Sequence, residues 1–532
     1  MEICYNTGME RFFNIAGPCV AAKHYMLPAA ERLPEVVGMI RRELYFVIHA
    51  PRQSGKTTAL KQLVRDINGS GERVALYCSL ETLQNVTDVN VALPGIKNAL
   101  CEAMRISPVL SGLADEFDVL RKAAVPADDA VTGVMTYLSA IAAKCGKPLV
   151  IFFDEADCLS YDPLVAFLRQ LRNGYINRED VPFPASLALV GLRNIKDYKM
   201  RIRPDGESVG QASPFNVITE VLPMRLFSEA EMRSLYAQHT AETGQVFEEG
   251  ALVEAYRLSG GQPYLVNALA RWCVEKIHKD DYSQPITAAD MAEAKEKIIR
   301  EQGTHLDSMM EKLEEPRVRR IVEPVMLGGG VDRTRFRDDV SYCIDLGLLV
   351  DDRGSLKPAN PIYAETIGRF LTRGVQSEIH MLRPENPWVR EDGLDMDGLM
   401  AAFQQFWREN ADANAVPFQY REAYPHLVLQ AFLQRVINGG GQIIREMALG
   451  SGRLDLGVKF RDATYAVEVK TTAYYEKSPS AAHEQMARYM DRLGVGEGWL
   501  VVADSDLTKP WDGKISTADF QQDGKTIHVV RC

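Results

Sequence analysis

The octapeptide Ala50-Pro51-Arg52-Gln53-Ser54-Gly55-Lys56-Thr57 lies between the apolar run Tyr45–His49 and a helix-patterned stretch, and it constrains this chain more than any other feature. A strand, a tight loop of small residues and a helix, in that order, turn successive backbone N–H groups toward one point and add the positive end of the helix. That arrangement is a phosphate cradle. Lys56 is placed to reach the β- and γ-phosphates of a nucleotide, Thr57 to hold Mg²⁺, and Ala50 to Thr58 make up the binding set. The usual first glycine is here Ala50, the smallest replacement, which is tolerable where the backbone angle stays ordinary.

A second run supports the first. Leu149-Val150-Ile151-Phe152-Phe153 is an apolar strand ending in Asp154-Glu155-Ala156-Asp157. A buried strand with this ending delivers Asp154 to the Mg²⁺ shell and sets Glu155 to polarise an attacking water. The same four letters spell a helicase box, but no other helicase signature accompanies them. A further strand, Leu187–Leu192, ends at Arg193-Asn194, where Arg193 reads either as a sensor of the γ-phosphate or as a solvated surface arginine. Arg201 and Arg203 are candidates for arginines acting in trans in an oligomer.

At 532 residues the chain exceeds one ordinary core, so about three domains are expected. Short β-rich runs at Tyr45–His49, Arg73–Ser79, Leu149–Phe153, Leu187–Leu192 and Val217–Leu222 alternate with helical stretches over 10–225, the pattern of a parallel sheet covered by helices. Helical runs Ser228–Thr240, Glu249–Ser259 and Tyr264–Lys279 follow, with Ser228 and Glu231 spaced as a capping box and Gly260-Gly261-Gln262-Pro263 as a break. They predict a helical lid over 226–303. Residues 304–375 give helix, helix and a hairpin around Arg353-Gly354, the outline of a winged helix or of a plain helical connector. A Pro- and Arg-rich linker spans 376–394, and a last domain 395–532.

Composition limits the partners. The formal charge of −11 confines any nucleic-acid binding to local basic patches. Nine cysteines without a C-x-x-C pair suit free thiols in a reducing compartment and give no zinc spacing. No apolar run approaches the ~18 residues of a membrane span, and the start lacks a secretory pattern. A cytoplasmic protein without a membrane partner is expected.

The last domain carries its own chemistry. Gly452-Arg453-Leu454-Asp455-Leu456-Gly457 and Ala463-Thr464-Tyr465-Ala466-Val467-Glu468-Val469-Lys470 read as a hairpin that brings Asp455 near Glu468. Period-two alternation puts Glu468 and Lys470 on one face. Carboxylates there can hold Mg²⁺, and the lysine can position a nucleophile or stabilise charge on a phosphodiester. A salt-bridged sheet face is the plainer reading. An upstream helix offers Glu422 or His426 as an extra metal ligand, and a downstream helix carries Gln485 and Tyr489. Arg445, Arg453 and Lys477 read as surface or phosphate-facing, and Tyr474 and Tyr475 either as base-stacking rings or as the rim and core of a sheet edge.

The order Phe13-Asn14-Ile15-Ala16-Gly17-Pro18, the HAPRQSGKTT loop, IFFDEAD, the strand ending GLRN and the GGQP break resembles the bacterial and archaeal AAA-like ATPases related to the STAND class, over residues 10 to 280. The resemblance implies a five-stranded core, a lid whose Pro263 starts a helix near the nucleotide, and a winged helix. It also implies a ligand-gated switch rather than a continuous motor. The helix, Asp, Glu-x-Lys and Gln-x-x-x-Tyr series over 415 to 505 resembles the PD-(D/E)XK nucleases, including their RecB-like branch. That resemblance makes Asp455, Glu468, Lys470 and Gln485 catalytic and adds Glu422 to Asp455 and Glu468 as metal ligands.

The fold class expected is therefore α/β: a P-loop parallel-sheet ATPase core with helical lid, a winged-helix domain, and a C-terminal α/β PD-(D/E)XK nuclease-like domain. ATP and Mg²⁺ are the expected cofactors, although no motif separates ATP from GTP. Nucleic acid, DNA foremost, and a homo-oligomer are the expected partners. The leading function is an ATP-regulated, Mg²⁺-dependent nuclease, and the resemblance alone implies a setting in bacterial defence or mobile-element DNA handling. The alternatives are a nucleotide-dependent regulator or scaffold whose nuclease-shaped domain only binds, and an oligomeric translocase.

Overall fold

The computed structural model describes residues 11–123, 129–191, 218, 220–301, 303–326, 331–371, 388–390, 393–414, 429, 432–433, 441–449, 452–504 and 510–532, with the backbone alone at 29–30, 129–130, 161, 304, 409–414, 441–449, 452–455, 473 and 512. The chain forms two compact units, one of residues 1–318 with 333–363 and the other of 319–332 with 364–532.

In the first unit, β1 (Tyr45–His49), β2 (Val74–Ser79), β3 (Leu149–Asp154), β4 (Ser186–Gly191) and β5 (Glu220–Pro223) form one sheet in the order β2-β3-β4-β1-β5. Every neighbouring pair is parallel. A parallel sheet needs covering on both faces, and strand alternation divides the apolar side chains between two cores. Tyr45, Val47, Leu76, Ile151, Phe153, Leu187 and Leu189 pack with α2 (Val89–Ile106), α3 (Val134–Cys145) and α4 (Tyr161–Ile176). Phe46, Ile48, Ala75, Val150, Phe152, Ala188 and Val190 pack with α1 (Lys56–Ser70) and the helix Pro34–Arg41. Four of the five expected strands fall within a residue or two of their observed bounds. The fifth begins later, at Glu220, and Leu192, Val217 and Thr219 lie outside the described residues.

Four helices follow: α5 (Glu229–Thr243), α6 (Glu249–Ser259), α7 (Pro263–Arg271) and α8 (Ala288–Glu301). The capping box forms as spaced, with Ser228 accepting from Glu231 N and Glu231 accepting from Ser228 N. The break before α7 has a steric cause. Gly261 sits at φ 75°, and a Cβ there would lie 2.1 Å from Phe227 O, so only glycine fits. Pro263 then supplies the first helical residue of α7. The expected single helix to Lys279 instead passes at Trp272 into a wider π-helical turn ending at Ile277.

Next come α9 (Thr304–Leu313), α10 (Arg337–Asp345) and an antiparallel hairpin of β6 (Leu349–Asp352) and β7 (Ser355–Pro358). Its turn residues Arg353 and Gly354 both have positive φ, as a tight two-residue hairpin turn demands.

After helical residues 319–326 and 364–371, the second unit has a two-residue pair, β8 (Val389–Arg390) and β9 (Gly393–Leu394), and α11 (Met396–Asn414). Its main sheet runs β10 (Gly441–Leu449), β11 (Gly452–Phe460), β12 (Ala463–Thr471), β13 (Glu497–Ala503), β15 (Lys525–Arg531) and β14 (Ser516–Gln522) in space. The pairs β12–β13 and β13–β15 are parallel and the rest antiparallel. Two helices, α12 (Thr472–Lys477) and α13 (Pro479–Leu493), make the crossover that a parallel β12–β13 pair requires. Met486, Ala487 and Met490 of α13 pack on Ala466, Leu500, Val502 and Ile527. Phe403 and Trp407 of α11 pack with Val467, Val469 and Val501 in the other core. At Gly498 the approach of α13 is so close that a Cβ would meet Met486 Cε at 2.4 Å and Met490 Sδ at 2.9 Å.

Candidate functional site

The loop Ala50 to Gly55 leaves the C-terminal end of β1, and Lys56 begins α1. Ala50 fits without strain: it is 1% exposed, and its N–H donates to Gly191 O at 3.2 Å. Gly55, at φ 86°, is the left-handed residue that turns the chain into the helix. Lys56 is buried, and its Nζ donates to Ala50 O at 2.9 Å and Pro51 O at 3.0 Å, which folds the ammonium along the inside of the loop. Thr57 Oγ1 donates to Asp154 Oδ2 at 2.8 Å. The loop and the end of β3 therefore meet, as the two motifs require.

Glu155 follows in a left-handed conformation, φ 55°. Its carboxyl is raised chiefly by burial, with Lys56 opposing the shift. Burial lowers the Lys56 ammonium, and Glu155, Asp154 and Asp157 oppose that in turn. Lys56 thus faces three carboxyls at the mouth of the loop, with Arg52 adding a second positive charge nearby. Tyr77 adds a partner with no sequence signal: its hydroxyl donates to Asp154 Oδ2 at 2.9 Å and fixes that carboxylate from β2.

The outer side of the loop is held by distant residues. Arg32 donates to Ser54 O at 2.7 Å. Gln262 Nε2 reaches Arg52 O at 3.3 Å and Gln53 O at 3.5 Å. Pro263 is buried at the start of α7, so its neighbour Gln262 makes the side-chain contact with the loop. Arg52 Nη1 donates to Ser308 Oγ at 2.6 Å, and His49 Nδ1 lies 3.4 Å from Asp345 Oδ1. Cys19 N donates to Thr58 Oγ1 at 3.1 Å, which lays the N-terminal segment on the first turn of α1. The residues fit a nucleotide with Mg²⁺: Ser54 Oγ is buried without a hydrogen-bond partner, and Thr57 and Asp154 present adjacent oxygen donors of the kind Mg²⁺ takes. Arg193, Arg201 and Arg203 lie outside the described residues.

The second unit holds the other cluster. Glu468 lies on β12, 1% exposed. Lys470, two residues on and therefore on the same face, places Nζ 2.6 Å from Glu468 Oε1. From α13, Gln485 Nε2 donates to Glu468 Oε1 at 3.2 Å and to Tyr489 Oη at 2.9 Å. Gln485 and Tyr489, one helical turn apart, share the face of α13 turned to the sheet. A carboxylate this buried is costly without a cation, and Lys470 supplies one.

The β11–β12 pairing runs from Phe460 with Ala463 to Leu456 with Val467, the neighbours of Asp455 and Glu468 on the two strands. The side chains of Asp455, Arg453 and Arg445, and all of Glu422 and His426, lie outside the described residues. Among the described residues no three His, Cys, Asp or Glu side chains gather as a metal site. Tyr475 is buried and its hydroxyl lies 2.9 Å from His483 Nε2, whereas Tyr474 is 55% exposed and Lys477 is exposed.

A parallel sheet in the order β2-β3-β4-β1-β5, a phosphate loop after β1 and its acid at the end of β3 decide the class of the first unit. Its core has the fold of a P-loop ATPase. No family model matches the chain. An uncharacterized WD repeat-containing protein of Synechocystis, slr0143, is 23% identical over 305 residues, which are 52% of this chain and 24% of that protein. The match thus spans about a quarter of that relative's length. Among solved structures, the Walker-type ATPase PABY2304 of Pyrococcus abyssi superposes with TM-score 0.47 at 14% identity, covering 67% of this chain and 99% of that one. The Aeropyrum pernix ORC1 protein, solved in complex with DNA, gives TM-score 0.33 at 15% identity over 66% of this chain and 95% of its own. The RuvB Holliday junction branch migration motor of Thermotoga maritima gives 0.32 at 14%, over 62% and 89%. No described helix is long and apolar enough to cross a membrane.

Proposed function

We propose that this chain is an ATP-regulated, Mg²⁺-dependent nuclease. The ATP half rests on Lys56, Thr57 and Asp154 converging at the end of a P-loop ATPase sheet. Lys56 would exchange its loop carbonyls for phosphate oxygens, and Thr57 and Asp154 would hold Mg²⁺. Glu155, with its carboxyl raised by burial, would accept a proton from the hydrolytic water. Gln262 couples the lid to the loop through the carbonyls of Arg52 and Gln53.

The observation that carries the nuclease half is the convergence of Lys470 and Gln485 on the buried carboxylate of Glu468. A sheet-face salt bridge needs no glutamine delivered from a separate helix to the same oxygen. Mg²⁺ held there would acidify a bound water and offset charge on the phosphate. Glu468, joined by Asp455, would hold the metal, Lys470 would steady the charge developing on the phosphate, and Gln485 would fix the orientation of Glu468.

The test is cleavage of linear, circular and single-stranded DNA and RNA with Mg²⁺ or Mn²⁺, with and without ATP, beside Glu468→Ala. Cleavage that disappears in the variant supports the assignment, and cleavage that persists in it defeats it. A nucleotide-dependent regulator that only binds nucleic acid is the second reading, favoured by the net charge of −11. It predicts binding without cutting under every condition.

A further inference from the structure

We propose that Tyr474 is a stacking platform for an unpaired base beside the Glu468–Lys470 pair, so that the second unit acts on single-stranded nucleic acid. The inference rests on the nuclease reading and names the substrate form for that site. Tyr474 is 55% exposed, whereas its neighbour Tyr475 is 3% exposed and packs in the core of the second unit. The backbone that carries the ring is anchored, since Thr471 caps α12 by accepting from Tyr474 N at 3.4 Å, and Lys470 Nζ lies 5.5 Å from the ring centroid. The same Nζ lies 2.6 Å from Glu468, so the aromatic face sits one side chain away from the carboxylate.

An open aromatic face attracts bases through their π faces. In a duplex those faces are covered by neighbouring pairs, so the contact selects a strand whose bases are free. Exposed Lys477, three residues along α12, is available to the sugar-phosphate backbone. The net charge of −11 makes stacking matter more, because attraction of the whole protein to phosphate is unfavourable and a salt-insensitive contact is needed to retain the strand.

The experiment uses the full chain with Mg²⁺ and ATP on one oligonucleotide, offered as a single strand and as a matched duplex. Tyr474→Ala is expected to raise KM for the single strand about ten-fold or more with kcat nearly unchanged, and to leave ATP hydrolysis intact. Tyr474→Phe keeps the ring and is expected to restore KM. In the Glu468→Ala background, 2-aminopurine in the strand should be quenched on binding, and the quench should vanish with Tyr474→Ala. Unaltered single-strand KM and quench in Tyr474→Ala would overturn the platform while leaving the nuclease standing, and an equal loss on single strand and duplex would overturn the strand preference. Failure of the unsubstituted protein to cut either form, with ATP hydrolysis present, would remove the nuclease reading and this inference together.

Discussion

Single side chains decide both sites. Lys56 is buried, with its Nζ donating to carbonyls of its own loop and facing the carboxyls of Glu155, Asp154 and Asp157, so its charge sits where a phosphate would enter. Lys56→Ala should weaken nucleotide binding roughly 10–100-fold, the scale of a lost charge-assisted contact, as read by titration with a fluorescent ATP analogue. His305 gives a pH prediction. Burial, and secondarily the Arg52 charge, lower its imidazole from 6.5 to about 4, and its Nε2 meets Tyr363 Oη. Above pH 6.5 the imidazole is neutral folded or unfolded and contributes no pH dependence. As pH falls from 6.5 toward about 4 the unfolded chain takes up the proton first, so stability declines across that window. Thermal melts from pH 7 to 4 should show the decline, and His305→Gln should flatten it. That Thr57 meets Asp154, and that Lys470 shares a face with Glu468, was legible because a strand–loop–helix order and a two-residue strand period leave a local trace. Tyr77, Arg32 and Gln262 were not, since their links to Asp154, Ser54 and the loop carbonyls span 77, 22 and up to 210 residues and leave no periodic trace.

At the scale of elements, legibility followed burial. The strands β1, β3 and β4, apolar on both faces, were readable to within a residue or two, while β14, exposed along nearly its whole length, carried no such signal. The end of α7 was misplaced because widening to a π-turn at Trp272 keeps a helical composition. The N-terminus of α5 depends on one hydroxyl and one carboxylate, so Ser228→Ala should cost about 1 kcal/mol, measured by chemical denaturation. Gly261→Ala is a harsher change. It puts a methyl group against Phe227 O at a left-handed position, and the lid should detach from the loop that Gln262 touches. The expected readout is lost ATP hydrolysis with a lowered melting temperature.

For the molecule as a whole, the nucleotide loop and the Glu468 cluster fall in separate compact units. Glu468→Ala should therefore leave ATP hydrolysis at the native rate, and Lys56→Ala should leave binding of single-stranded DNA intact, the two assays being run on each variant. Loss of ATP hydrolysis in Glu468→Ala would mean that the units share one chemistry, whereas loss of strand binding in Lys56→Ala would mean that nucleotide gates binding as well as cutting. At Gly498, Met486 and Met490 fill the space where a Cβ would stand, and Gln485 reaches Glu468 from the same helix. A methyl group at 498 would press first on the flexible end of Met486, so those thioether chains act as a cushion that can turn aside while the helix keeps its glutamine seated on Glu468.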